Sequence, residues 1–514
     1  MAITMEGEDA NLTEEKDILH SSRLGSFSQK AADYTNSIDL DPKLVDSVIA
    51  INKAHAIMLS ERKIISKEVA IEILRALDDL PKNFVMKPDL EDVHMNVEDQ
   101  VITRAGKDAG GMLNLAKSRN DQVATAIRMA LRDQLILLGK SIIELQKSFL
   151  AQAKKHSDSL IPGYTHLQRG QPVTLGHYLL AHFDSLDRDF SRLVDCYLRT
   201  NLSPLGAGAL ASTGFNIDRE RTAELLGFDS LVENSLDAVS SRDFATEAIF
   251  LCSQTMTDLS SLAEEIILWT TTEFSFATIS DEFASTSSMM PQKKNAIVPE
   301  IIRAITSQVV GDLTAALSLL KALPLSYNLD LQELTRNLWS AMEKTITSVS
   351  ILAPLIGDMS FNADIMSEAI RRDEFVFSTE LADYLVSKFH VPFREAHGRV
   401  GKLVRELSSA RKSGGGQFSD LSAETLVKYL GVDISPDEIK SIVDPKRVLE
   451  RRKALGSPNP KLVLEAIAKR MKTVAKHEET IGAFGQKISE SNKNLVLAAD
   501  AIEKTGKSVK GSRR

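Results

Sequence analysis

The segment Ser285-Thr286-Ser287-Ser288-Met289-Met290-Pro291-Gln292-Lys293-Lys294-Asn295 gathers hydroxyls, two ammonium groups and an amide into one short run beside Met-Met and a proline. That composition suits an anion: Lys supplies a point charge, while Asn and backbone N–H groups supply directed hydrogen bonds to a carboxylate. The proline and the Ser/Thr residues disfavour a continuous helix, so the expectation is a loop that can close over a ligand. A solvated surface loop has the same composition, and from composition alone both readings stand.

Such a loop needs a frame, and the frame is helical. Ile127, Leu131, Leu135, Leu138, Ile142, Leu145 and Phe149 step by fours and threes, as do Leu175, Leu179, Phe183, Leu186, Phe190 and Leu193. Further long apolar segments run from Ala248 to Trp269 and from Ile301 to Leu320, and alternating strand-like runs are scarce. The pattern predicts a mostly α fold with a long central helical bundle. Gly110-Gly111 followed by Asn114 to Ser118 marks an exit from an N-terminal domain, and near Phe361 to Asp373 the segments shorten. The expected divisions are an acidic N-terminal tail at 1–18, an N-terminal domain at 19–114 and the bundle at 115–366. A small C-terminal helical domain at 367–480 and an extension at 481–514 follow, with a flexible Lys412–Gln417 loop in the former and a disordered basic tail from Lys504 ending the latter.

Bulk properties narrow the function. A chain of 514 residues, 43% hydrophobic and 26% charged, reads as a soluble globular protein with a large core. Its net charge of -8 is spread over both signs, leaving no basic stripe for nucleic acid. No apolar run is long enough for a signal or a membrane span, so a cytoplasmic protein is expected. Cys196 and Cys252, the two cysteines, exclude a disulfide framework or a multi-thiolate metal site. Neither a glycine-rich phosphate loop after a strand nor a His/Cys cluster with metal spacing is present, which predicts chemistry without a metal or other cofactor.

Four segments, in order, resemble those of one enzyme family. Ser118-Arg119-Asn120-Asp121-Gln122, Gly163-Tyr164-Thr165-His166-Leu167-Gln168, Asn234 to Ser240 with Arg242-Asp243-Phe244, and the Ser285–Asn295 loop are similar to those of the fumarase/aspartase superfamily. Met290-Pro291-Gln292-Lys293-Lys294-Asn295 resembles its argininosuccinate lyase branch, and the likeness extends from about Ser22 to about Glu465. It implies a three-domain homotetramer with a shared twenty-helix bundle, active sites built from several subunits, and β-elimination of argininosuccinate to arginine and fumarate. Such a reaction removes a weakly acidic proton beside a carboxylate, holds the resulting aci-carboxylate and protonates a leaving guanidino nitrogen.

By the same resemblance Ser287 is the base, Lys293 and Asn295 hold the developing charge, and His166 with Glu300 serves the leaving group. Thr165, Gln168, Ser118, Arg119, Asn120, Tyr327, Gln332, Ser37, Asp41, Asp92 and His94 match substrate-side positions; any of these could instead be a satisfied polar group or a helix cap. Other readings of the same residues are a different fumarate-releasing carbon-nitrogen lyase, or a lyase-like structural protein. The chain also departs from the pattern. Asn114 stands where a histidine is usual, Thr286 where glycine is common, which would stiffen loop closure, and Thr335 where many members have a lysine, with Arg336 beside it. The last change leaves open how the substrate's distal carboxylate is held.

Overall fold

The structure is a computed structural model that describes residues 28–80, 85–87, 90–411 and 416–511. The acidic tail at 1–18 and most of the Lys412–Gln417 loop lie outside the described residues.

Among the described residues, four helices come first: α1 (Gln29–Thr35), α2 (Val45–Glu61), α3 (Lys67–Asp78) and α4 (Val93–Gly110). Asp92 caps α4 by accepting the Met95 N–H, which satisfies one of the orphan donors at the helix start. The central helices are α5 (Arg119–Lys155), α6 (Leu175–Thr200), α9 (Asp243–Thr270), α10 (Ile297–Leu320) and α11 (Asp330–Asp358), with short α7 (Arg219–Leu225) and α8 (Ser235–Ser240) between them. The periodic apolar positions account for this arrangement: Ile127, Leu131, Leu135, Leu138, Ile142, Leu145 and Phe149 all lie in the buried core. Ser118 starts α5 with a capping box, its hydroxyl and the Asp121 carboxylate bonding reciprocally to backbone.

Hydrogen bonds between helices fix their directions. Gln152, near the end of α5, donates to the carbonyls of Ile356 and Met359 at the end of α11, so these two helices run parallel. Arg128, early in α5, donates to the Thr200 carbonyl at the end of α6, which is therefore antiparallel to α5. Thr306 of α10 donates to the Met256 carbonyl and Ser253 of α9 to the Val309 carbonyl, making α10 antiparallel to α9. One end of the bundle thus carries the starts of α5, α9 and α11; the other carries their ends and the start of α10.

Between α5 and α6 a hairpin pairs β1 (Leu160–Thr165) with β2 (Gln168–Thr174). The remaining strands are two-residue pairs. β3 (Leu202–Ser203) runs parallel to β4 (Ser230–Leu231), while β5 (Ala277–Thr278) with β8 (Ser360–Phe361) and β6 (Ser285–Thr286) with β7 (Lys294–Asn295) are antiparallel.

After the bundle, α12 (Ala363–Arg371), α13 (Ser378–Phe389), α14 (Phe393–Arg411), α15 (Ala423–Leu430), α16 (Pro436–Ile442) and α17 (Pro445–Arg451) surround a second apolar core that includes Phe377, Leu385, Leu403, Phe418 and Leu430. The chain then returns along the bundle as α18 (Pro460–Gly511), whose Val463, Ile467, Val474 and Ile481 join the main core. The backbone expected to be a disordered tail from Lys504 is helical to Gly511, and position 481 falls inside this continuous helix.

Candidate active site

At one end of the bundle, Ser37, Asp41, Asp92 and Arg119 form a chain of polar contacts. The Ser37 hydroxyl donates to Asp41 Oδ2 at 3.0 Å, the Val93 N–H donates to the same oxygen at 2.8 Å, and Arg119 pairs with Asp92. Burial raises the Asp41 carboxyl to about 7 against the pull of these two donors. His94, in the first turn of α4, is buried beside them, and desolvation lowers its ring to about 4. Asn120 donates to the Ala209 carbonyl at 3.0 Å, and Gln332 donates to the Thr35 carbonyl at 2.8 Å, drawing the start of α11 against the end of α1. Tyr327 is half-buried nearby, its phenol raised by burial and sensitive to Arg242, Asp92, Arg119 and Asp41. Ser118 is committed to the cap of α5.

Residues without an assigned role in the sequence support this cluster. Lys117 donates to Asn52, and burial brings its ammonium down to about 7. Asn114 accepts from Gln122 at 3.2 Å. Asp121, raised by burial to about 6, accepts the Gly206 and Gly208 N–H groups at 3.0 and 2.8 Å, tying the 206–208 turn to α5. Only the position of Lys117 immediately before the Ser118–Gln122 segment could have drawn notice to it.

The far end of the bundle holds the other candidates. Thr165 and Gln168 face each other as the last pair of the β1–β2 hairpin, and His166 and Leu167 form its two-residue tip. Both tip residues have positive φ, 53° and 58°, the geometry of a type I′ turn that usually selects Asn or Gly. All four are exposed, Leu167 at 81%. Arg169 anchors the hairpin by donating to the Ala369 carbonyl of α12 at 3.1 Å.

The Ser285–Asn295 segment is a loop, as expected, closed by the β6–β7 pair. Thr286 lies in β6 rather than at a left-handed position. The expected stiffening from losing glycine therefore has no basis in φ; an extended, paired site suits a β-branched residue. Inside the loop the Ser287 oxygen accepts N–H groups from Met289 at 3.2 Å and Met290 at 3.0 Å, and the Ser287 N–H donates to the Lys293 carbonyl at 3.4 Å. Lys293 is exposed, Asn295 is half-buried, and Lys294 is paired with Asp281 at 2.6 Å. Glu300 is exposed on the first turn of α10.

Within this chain the candidates therefore form two groups. No hydrogen bond or ion pair joins His166 to Glu300 among the described residues, and α5, with its 37 residues, separates the groups by a rise of about 55 Å. Among the described residues no group of three His, Cys, Asp or Glu is positioned to hold a metal, and no helix is long and apolar enough to cross a membrane.

A family model described as lyase matches residues 25–311, and one described as argininosuccinate lyase C-terminal matches residues 375–450. The argininosuccinate lyase of Methanocaldococcus jannaschii is 41% identical over 93% of this chain and 99% of its own length; that of Methanocorpusculum labreanum is 42% identical over 88% and 92%. Among solved structures, EDDS lyase in complex with formate superposes with a TM-score of 0.82 at 28% identity, covering 94% of this chain and 97% of that one. A class II fumarase from Schistosoma mansoni, at 18% identity and a TM-score of 0.68 over 79% of this chain and 90% of its own, shares the fold.

Proposed function

The chain belongs to the argininosuccinate lyase family, and from that premise we propose that it splits argininosuccinate into arginine and fumarate by β-elimination, in arginine biosynthesis in the cytoplasm. The observation that carries the mechanism is the Ser287 hydroxyl, whose oxygen already accepts two backbone N–H groups. Those donors favour the alkoxide over the hydroxyl, which is what a serine needs to act as a base. Ser287 takes the proton from the carbon beside the carboxylate; Lys293 and Asn295, on the same hairpin, meet the negative charge that moves onto that carboxylate. His166, paired with Glu300 across an assembled site, delivers the proton to the departing guanidino nitrogen. Thr165, Gln168, Ser118, Asn120, Arg119, Asp92, His94, Ser37, Asp41, Tyr327 and Gln332 bind and orient the rest of the substrate.

The reading includes a homotetramer with three domains per chain and sites completed between subunits. Two observations support it. The two groups of candidates lie at opposite ends of the bundle, and α10 leaves Ile301 and Leu317 at 58% and 56% exposure on a helix otherwise rich in apolar residues. An uncovered apolar helix face of that kind suits packing against another copy.

Mixing the purified protein with argininosuccinate and following fumarate by its ultraviolet absorbance tests the reaction, with adenylosuccinate and aspartate run alongside. Fumarate from argininosuccinate alone is expected. A signal only from another substrate would make the chain a different carbon-nitrogen lyase, and silence with all three would favour the structural reading.

A further inference from the structure

Arg242, immediately before α9, is 2% exposed. Its Nη1 donates to the Ser241 carbonyl at 2.9 Å and the Val239 carbonyl at 3.4 Å, while Nε and Nη2, equally buried, have no partner among the described residues. A buried cation with unmade hydrogen bonds is costly, and burial lowers this guanidinium only to about 10, so it stays charged at neutral pH. Nε and Nη2 share one edge of the guanidinium plane, the edge that grips a carboxylate with two parallel hydrogen bonds.

Arg242 is among the residues around a cavity of about 160 Å³, together with Ser240, Ser326, Asn328 and Leu331. Tyr327, between the cavity residues Ser326 and Asn328, feels the charges of Arg242 and of the Asp41, Asp92 and Arg119 cluster alike, so the cavity adjoins the substrate-side group. Other cations there are engaged: Arg119 with Asp92, Lys117 with Asn52, Arg336 with Asp39 and Glu333. Thr335, at the position where the family often has lysine, is buried and spends its hydroxyl on the Leu331 carbonyl at 3.3 Å.

We propose that this cavity is a carboxylate subsite with Arg242 as its cation, receiving the amino-acid carboxylate at the arginine end of the substrate. The identity of that carboxylate rests on the elimination reading above. Arg242 is then a specificity-determining residue: it takes over the charge that Thr335 lacks, from a neighbouring element.

The test compares arginine with agmatine, which keeps the guanidinium and lacks the carboxylate, by calorimetry on the full-length assembled protein. Wild type is expected to bind arginine about tenfold more tightly. Arg242→Met should remove that preference and leave agmatine binding unchanged, and Arg242→Lys should restore part of it. Because a buried arginine can be needed for folding, Asn328→Asp provides a second route. It sets a competing carboxylate in the cavity and should abolish the preference while the helical circular dichroism stays as in wild type. Equal binding of arginine and agmatine by wild type, or a full preference surviving in Asn328→Asp, would overturn the subsite. Fumarate release by wild type is measured in parallel, so failure of the reaction appears as absent turnover and failure of the subsite as absent discrimination.

Discussion

At the scale of single residues, the chemistry turns on whether a serine hydroxyl can be made basic. The two N–H groups that reach the Ser287 oxygen belong to Met289 and Met290 of the same exposed loop, so truncating the hydroxyl removes the proposed base without opening the core. Ser287→Ala is expected to lower kcat by about 10³, within the range for losing a general base, while the melting temperature moves by no more than about 2 °C. Steady-state fumarate release and a thermal melt check both; turnover within tenfold of wild type would mean that another group takes the proton. The loop residues were legible in the sequence as candidates, because hydroxyls, ammonium groups and an amide suit an anion by type, whereas their separate roles came from the family resemblance. Arg242 was legible only as part of the family-like Arg242-Asp243-Phe244 segment, with no role attached; the role proposed for it rests on being buried with an unused edge, which depends on packing rather than spacing.

At the scale of elements, the long helices were legible because an apolar stripe of period 3.6 has one physical solution, burial along a shared face. The hairpin that presents His166 was not, since its tip residues His and Leu are poor signals for a turn that needs two positive φ values. Holding a leucine in the left-handed region costs about 1 kcal/mol, and a β-branched residue tolerates it less well. Leu167→Val should therefore displace His166 and reduce kcat by about tenfold, whereas Leu167→Gly, free to adopt the same turn, should stay within about twofold of wild type. Because the tip is exposed, neither change should shift the global melt. Kinetics of the pair decide the matter: a Val variant as active as the Gly variant would show that the tip's backbone does not control the position of the histidine.

At the scale of the whole molecule, the distance along α5 limits what one chain can do. Ser118 and Asn120 sit at its start, while the Ser287 loop and the His166 hairpin lie beyond its end, about 55 Å of helix away. No side-chain rotation closes such a gap, so on the proposed reading a substrate that touches both groups lies between copies packed side by side along the exposed face of α10. This separation was invisible in the sequence, where the motifs appear simply as one series; it follows from the directions of α5, α9 and α10. It makes a quantitative prediction. Ser287→Ala and Asn120→Ala damage opposite ends, so each homogeneous variant should be nearly inactive. When the two are mixed one to one, dissociated and reassembled, a site that draws each half from a different chain receives both intact halves in about one case in four. Fumarate release near a quarter of the wild-type rate is expected from the reassembled pool, with none from either variant treated alone. A pool as inactive as its parents would mean that both groups of a working site come from the same chain, which the helix directions forbid unless the chain refolds on assembly.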